Sequence, residues 1–278
     1  MLWNVNRKCE TSAGMVAWGS VGKGPPLVLA HGWPWSSFSW HRILLTLSHA
    51  YTVYWYDMPG FGRSAKDAGQ ATGLDVQGRV FKEMLDHWML DAPHVLAHDF
   101  GGAVTLRAHL LHDVAYSSLT LMNVVALSPW GSEFFDHVGR HVDAFAPLPP
   151  HIHAAIVEAY IRGALVNEID ATDLRELVSP WLTPEGHQSF YRQFAQADDA
   201  FTDEFAEKLK QIACPVTIIW GERDPWIPIE RGHLLAGRIG VPLHPLKGAG
   251  HLPQMEAPRD LIDLIISIPD ALPELEGN

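Results

Sequence analysis

Long apolar runs are missing from this 278-residue chain. The longest, such as Pro-Val-Thr-Ile-Ile-Trp at 215–220, fall far short of the roughly 18 residues that a membrane-crossing helix needs. The opening MLWNVNRKCE lacks the apolar core of a secretory signal, so a cytoplasmic location is expected. Cysteine is scarce. Only Cys9 and Cys214 occur, without a CxxC spacing, which excludes a disulfide scaffold and leaves two reduced structural thiols. Basic residues are also few: 20 Lys and Arg stand against 32 Asp and Glu, a net charge of −12. The basic stripe that nucleic acid requires is therefore absent. No internal repeat or low-complexity linker is found. What is present is the composition of an ordinary globular protein, 47% hydrophobic and 19% charged, with an excess of two residue types, 16 His and 11 Trp. Size scaling gives such a chain roughly 12,000 Å² of folded surface, enough for one large core or for a core with a smaller lodger.

Short apolar runs punctuated by Gly and Pro predict strands at 15–19, 27–30, 51–56, 94–97, 118–125, 216–220 and 242–246. Between them lie segments with helical spacing, the pattern of parallel βαβ units. Residues 75–90 put Val76, Val80 and Met84 on one track with Phe81, Leu85 and Trp88 beside it, a stripe that packs on a sheet. A last helix starts at Pro258, buries Leu261, Leu264, Ile265 and Ile268, and stops at Pro269. The tail 269–278 is rich in Pro and Glu and is expected to fray. One stretch breaks the alternation. From about 129 to 205 no strand is predicted, while 152–165, 170–178 and 184–195 look helical. This divides the chain into a β/α core of 1–128 and 206–278 and a helical insertion of 129–205.

The segment Val95-Leu-Ala-His-Asp-Phe-Gly-Gly-Ala103 is a strand, a polar residue among small ones, and then a helix. That is the layout of a nucleophile elbow, whose tight turn pushes one side chain out at the sheet edge and turns the next N–H toward a reacting oxygen. Asp99 fills the nucleophile position. The plainer reading is that Asp99 only caps the helix after it. Three other segments favour chemistry. His31-Gly-Trp-Pro34 follows a strand and can aim the Trp33 N–H at the same oxygen, Gly221-Glu-Arg-Asp224 ends another strand in an acid, and Gly248-Ala-Gly-His251 ends the last in an imidazole. The order is nucleophile, acid, base.

With these pieces, and with Asp57-Met-Pro-Gly-Phe-Gly-Arg-Ser64, the chain resembles the α/β-hydrolase superfamily over essentially its whole length. Ala97 stands where that elbow usually has Gly, a small-for-small exchange. The resemblance implies an α/β fold with a mostly parallel sheet flanked by helices and a helical cap inserted after the sixth strand. It implies Asp99, Asp224 and His251 as catalytic residues and the N–H groups of Trp33 and Phe100 as an oxyanion hole, with no cofactor and no metal. The acid's alternative site in this superfamily follows strand 118–125. Asn123 stands there and cannot carry the charge, which favours Asp224.

An aspartate nucleophile changes the reaction. A serine would turn a saturated carbon into an ether that activated water cannot cleave, whereas a carboxylate, ordinarily ionised above about pH 4, displaces a leaving group and forms an ester. His251, oriented by Asp224, can then activate water against that ester. The Asp-nucleophile branch comprises epoxide hydrolases and haloalkane and haloacetate dehalogenases. Haloalkane dehalogenases hold halide with a Trp after the nucleophile and a Trp or Asn after the HG pair; here those positions are Phe100 and Trp33, half a pocket. Haloacetate dehalogenases hold a carboxylate with Arg one and four positions after the nucleophile; here those are Phe100 and Ala103. Epoxide hydrolases use cap tyrosines, and Ser189-Phe-Tyr-Arg-Gln-Phe194 resembles such a segment. Tyr191 is therefore the expected proton donor, with His137 or His141 as substrate-binding partner.

The expected activity is epoxide hydrolysis through an alkyl-Asp99 ester, acting on a small neutral apolar substrate and water. The alternatives are a dehalogenase with the same nucleophile and a non-enzymatic ligand sensor on the same scaffold, which a damaged catalytic set would betray. His98 is read as structural. The spacings His137/His141 and His109/His112 offer no third metal ligand. Trp35, Trp40, Trp130, Trp181 and Trp226 are read mostly as core, with some lining a pocket.

Overall fold

The computed structural model describes residues 2–269 together with Ala271, Leu272 and Leu275. Eight strands form one sheet: β1 (Arg7–Thr11), β2 (Gly14–Gly22), β3 (Pro26–Ala30), β4 (Thr52–Tyr56), β5 (His94–His98), β6 (Ser118–Met122), β7 (Val216–Gly221) and β8 (Leu243–Leu246). Their spatial order is β1-β2-β4-β3-β5-β6-β7-β8. β1–β2 and β2–β4 are antiparallel and every later pair is parallel. β1 escapes a search for apolar runs because it is an edge strand with polar, exposed residues. The helices, in chain order, are α1 (Leu44–Ala50), α2 (Leu74–Trp88), α3 (Phe100–Leu111), α4 (Glu133–Arg140), α5 (Val142–Phe145), α6 (Pro150–Arg162), α7 (Ala171–Val178), α8 (Pro184–Ala195), α9 (Ala200–Ala206), α10 (Ile229–Ile239), α11 (Pro253–Glu256) and α12 (Pro258–Ile266). No described helix is long and apolar enough to cross a membrane.

Alternate strand residues face opposite sides, so the sheet builds two cores. Val28, Val95, Leu119 and Ile218 join α2, α3 and α10 on one face. Leu27, Leu29, Leu96 and Ile219 join α1 and α12 on the other. Because both faces are covered, the parallel strands read as apolar runs. On α12 the buried residues are Leu261, Ile262 and Ile265; Ile262, rather than the expected Leu264, completes the buried face. Ala271, Leu272 and Leu275 also pack into the second core, and Ala271 O accepts the hydroxyls of Ser118 and Thr120. These three residues are thus not frayed; the rest of the predicted fraying tail beyond Pro269 lies outside the described residues.

Helices α4 to α9 all fall between β6 and β7. α8 sits on the β4–α2 loop, where Ser189 Oγ and Gln193 Nε2 both donate to Gly60 O at 2.9 Å. Six parallel strands, β4, β3, β5, β6, β7 and β8, end along the sheet edge that carries this layer, which is where open α/β sheets place their ligands.

Candidate active site

Asp99 leaves β5 at φ 52 and ψ −120, a conformation L-residues rarely adopt. Such backbone costs of order 1–3 kcal/mol, which the surrounding packing must hold in place. The close fit demands small residues. A Cβ on Gly32 would lie 2.3 Å from Asp99 Cβ and Oδ1, and one on Gly101 would lie 2.2 Å from Ala30 O. The turn pushes the carboxylate toward the loop after β3, where Trp33 N–H donates to Asp99 Oδ1 at 2.6 Å. The neighbouring Phe100 N–H opens α3 and has no intrahelical acceptor. His31 fixes the loop. Its Nε2 accepts from Met58 N–H at 3.0 Å and its Nδ1 donates to Gly32 O at 2.9 Å, and burial lowers its pKa, favouring the neutral ring.

The other carboxylate oxygen, Asp99 Oδ2, is 3.4 Å from His251 Nε2. His251 Nδ1 donates to Asp224 Oδ2 at 2.9 Å, and the ring and both carboxylates are almost fully buried. Burial works against the imidazolium, but Asp224 and then Asp99 outweigh it and raise the His251 pKa to about 10. For Asp224 burial likewise opposes the charge, yet His251, Asn123 and the amide donors bring its pKa below the usual value. Asp224 is saturated with donors. Oδ1 accepts from Trp226 and Ile227 N–H at 2.8 and 2.9 Å, and Oδ2 also accepts from Asn123 Nδ2 at 2.6 Å. Asn123 Oδ1 takes Gly221 N–H at 3.1 Å. Asn123 adopts φ 48, which is why β6 stops at Met122 rather than running to 125. His98 donates through Nε2 to His251 O at 2.7 Å, and burial depresses its pKa to about 3, keeping it a neutral brace.

A small cavity of about 40 Å³ lies over Asp99, walled by Trp33, Phe100, Trp130, Phe135, Tyr160 and Trp226 among others. None of its lining residues is Arg or Lys. Trp33 Nε1 is buried. Burial pushes the Tyr160 hydroxyl well above its usual pKa, while the Trp33 indole and Asp99 act on it in opposite senses. Tyr160 and Trp33 thus bring two donor groups to the cavity that holds Asp99.

The cap residues expected from sequence lie elsewhere. Tyr191 is buried, and its hydroxyl donates to His153 Nδ1 at 3.1 Å instead of lining the cavity; burial lifts its pKa to about 12. Helix geometry is the reason. Phe190 and Phe194 on α8 face the Trp33 ring, at 5.1 and 5.0 Å, and a residue one step from Phe190 points about 100° away. His137 and His141 are exposed, with rings 4.7 Å apart, because α4 turns Phe135 and Val138 inward. Neither histidine reaches the cavity. Tyr160 was the missed residue, and the signal was available: His153, Val157 and Ile161 form the buried stripe of α6, with Tyr160 at its margin. Asn123, set aside in the sequence because it carries no charge, anchors Asp224 directly. Of the tryptophans, Trp130 and Trp226 line the cavity, while Trp35, Trp40 and Trp181 are fully buried core. Among the described residues no group of three His, Cys, Asp or Glu could hold a metal ion.

A parallel sheet in this strand order, an acidic side chain on a strained strand-to-helix elbow and a paired His and Asp on the next loops define an α/β-hydrolase scaffold. The chain belongs to the alpha/beta hydrolase family, whose description it matches over residues 27–264. An alpha/beta hydrolase fold protein from Burkholderia ambifaria, known from its crystal structure, is 40% identical with a TM-score of 0.91, covering 96% of this chain and 99% of the other. Among characterised relatives, a soluble epoxide hydrolase of Corynebacterium sp. is 28% identical over 73% of this chain and 75% of its own length. A fluoroacetate dehalogenase of Burkholderia sp. is 25% identical over 72% of each. A 2-hydroxy-6-oxononadienedioate/2-hydroxy-6-oxononatrienedioate hydrolase of Klebsiella pneumoniae is 24% identical over 84% of this chain and 81% of its own length.

Proposed function

We propose that this hydrolase opens small neutral epoxides through a covalent ester on Asp99. What supports the reading is a carboxylate on the elbow with one oxygen at the Trp33 amide and the other facing His251, in a chamber whose donors are the Tyr160 hydroxyl and the Trp33 indole. Asp99 Oδ2 attacks a ring carbon, the C–O bond breaks, and the released oxygen takes the Tyr160 proton. Once Asp99 is an uncharged ester, the anion that stabilised His251 as imidazolium is gone. His251 then gives up its proton, which restores Tyr160, and becomes a base.

Water next loses a proton to His251 and adds to the Asp99 carbonyl carbon, with the oxyanion on Oδ1 held by the Trp33 and Phe100 amides. Collapse breaks the ester bond, the leaving alkoxide takes the proton from His251, and the Asp99 carboxyl proton passes to His251. The net change is epoxide plus water to diol. A dehalogenase reading keeps support from one observation, the buried Trp33 Nε1 at the chamber, which could hold a halide. The absence of Arg and Lys from the chamber lining weighs against haloacids. The deciding experiment is a panel assay of diol formation from styrene oxide and propylene oxide against halide release from 1-chlorobutane, 1-bromobutane and fluoroacetate. Halide release with epoxides left intact would overturn the proposal.

A further inference from the structure

Beside the chamber at Asp99 lies a second cavity of about 150 Å³. The two share Val125, Trp130, Gly131, Trp226 and Ile227 in their walls, so they adjoin across these residues, the smaller on the Asp99 side and the larger outside it. No carboxylate lines the outer part, and its one charged side chain is Arg231. Arg231 Nη2 donates to Leu127 O and, at 2.8 Å, to Pro129 O, which ties α10 to the chain leaving β6. Its other walls include the apolar residues Val124, Ala126, Leu127 and Leu235, with backbone polar groups between them.

Both sides of the shared wall are held in place. On the core side Asp224 Oδ1 fixes the Trp226 and Ile227 amides, and the Trp226 ring stacks on Trp35 with centroids 5.6 Å apart. On the other side Trp130 Nε1 donates to Thr202 Oγ1 at 3.1 Å and Trp130 N–H to Asp199 Oδ1 at 3.3 Å. Two anchored indoles in the shared wall leave little ordering for a flat or slender ligand group to impose.

We infer that the outer cavity is a subsite for the apolar aryl or alkyl substituent of a substrate whose reacting carbon sits at Asp99. The inference rests on the Asp99 chemistry proposed above. An inner space of about 40 Å³ holds little beyond the reacting atoms, so a larger substituent must extend past Trp130 and Trp226. Unsubstituted small epoxides leave the outer part filled with water and gain nothing from it.

The test compares propylene oxide, 1,2-epoxyhexane and styrene oxide on the full-length wild type, Ala126→Trp and Leu235→Ala. Ala126 and Leu235 line the outer part and not the inner one. Burying a phenyl or butyl group predicts a wild-type kcat/KM for the larger epoxides about tenfold or more above that for propylene oxide. Ala126→Trp should cut that ratio about tenfold, and Leu235→Ala should raise the relative rate of a naphthyl oxirane; the second variant decides if the first does not fold. The same substrate ratios in all three proteins overturn the subsite, as does a carboxylate-ended epoxide outrunning 1,2-epoxyhexane, which would assign the cavity to Arg231 and an anion. Tryptophan-fluorescence titration with propane-1,2-diol and 1-phenylethane-1,2-diol reads the subsite without turnover. If no epoxide reacts but the phenyl diol binds more tightly and Ala126→Trp removes the difference, the reaction falls and the subsite stands. Equal affinity for the two diols in the wild type overturns the subsite itself.

Discussion

Asn123 Nδ2 donates to Asp224 Oδ2 across 2.6 Å, so the carboxylate that orients His251 is anchored by the end of the neighbouring strand. Asp224 therefore presents to His251 an oxygen that is already fixed by another donor. Removing a hydrogen bond to a buried charged group costs about 1.5–3 kcal/mol. Asn123→Ala should lower kcat by roughly 10- to 100-fold with a smaller change in KM, since the loss concerns the base rather than the substrate pocket. An unchanged kcat would separate Asn123 from the working of the acid.

The proposed ester intermediate has its own signature. His251→Gln leaves Asp99 free to attack but removes the base for hydrolysis, so a substrate should accumulate on Asp99 as a mass increase equal to one substrate molecule. Repeated turnover of the wild type in ¹⁸O-water should carry label into Asp99. Label found only in product would mean that water attacks the substrate directly.

The two tyrosines should separate cleanly. Tyr160 lines the chamber and Tyr191 bonds His153. Tyr160→Phe should reduce epoxide turnover about 100-fold or more, the usual range for a lost general acid, and Tyr191→Phe should act on stability with activity retained. The reverse ranking, measured by kcat/KM, would return the donor role to Tyr191.

The raised pKa of His251 predicts a pH-dependent stability. The folded value is about 10, against about 6.5 for an unfolded histidine. The stabilisation is fully present below about pH 6.5 and is lost as pH rises toward 10, because the folded state binds the extra proton in that window. Melting curves between these values should fall less steeply for His251→Gln than for the wild type. Parallel slopes would show that His251 is not held as imidazolium.

Glu256 joins the loop of His251 to the segment after α6. Its Oε2 accepts from Val166 and Asn167 N–H, each at 2.9 Å, and its Oε1 from Leu252 N–H at 3.0 Å. Glu256→Gln turns an NH₂ toward one set of donors and should cost about 1–3 kcal/mol, a fall of roughly 2–8 °C in Tm. A thermal scan showing no change would mean that the segment is held by other contacts.

Residue order alone carried the fold class, the elbow at Asp99 and the places of Asp224, His251 and the Trp33 amide beside it. Each of these follows a strand directly, and a strand's end is fixed by local pattern, so a side chain one to three residues beyond it has a known place on the sheet edge. Asn123 lay at the same kind of position. Its part was obscured only because Asn carries no charge, and the φ of 48 that turns its amide toward Asp224 is set by neighbours on β7.

The cap obeyed no such rule. Tyr191 and Tyr160 both stand on helices, and which of them meets Asp99 depends on how α6 and α8 are rotated and seated over the sheet. That rotation is decided by packing: Phe190 and Phe194 settle on Trp33, which turns Tyr191 toward His153 and leaves Tyr160 at the chamber. Sequence thus determined the arrangement of the core residues around Asp99, where one strand register fixes many side chains at once. Tertiary structure decided the donor, the chamber and its outer pocket, because these arise where helices distant in the chain pack against each other.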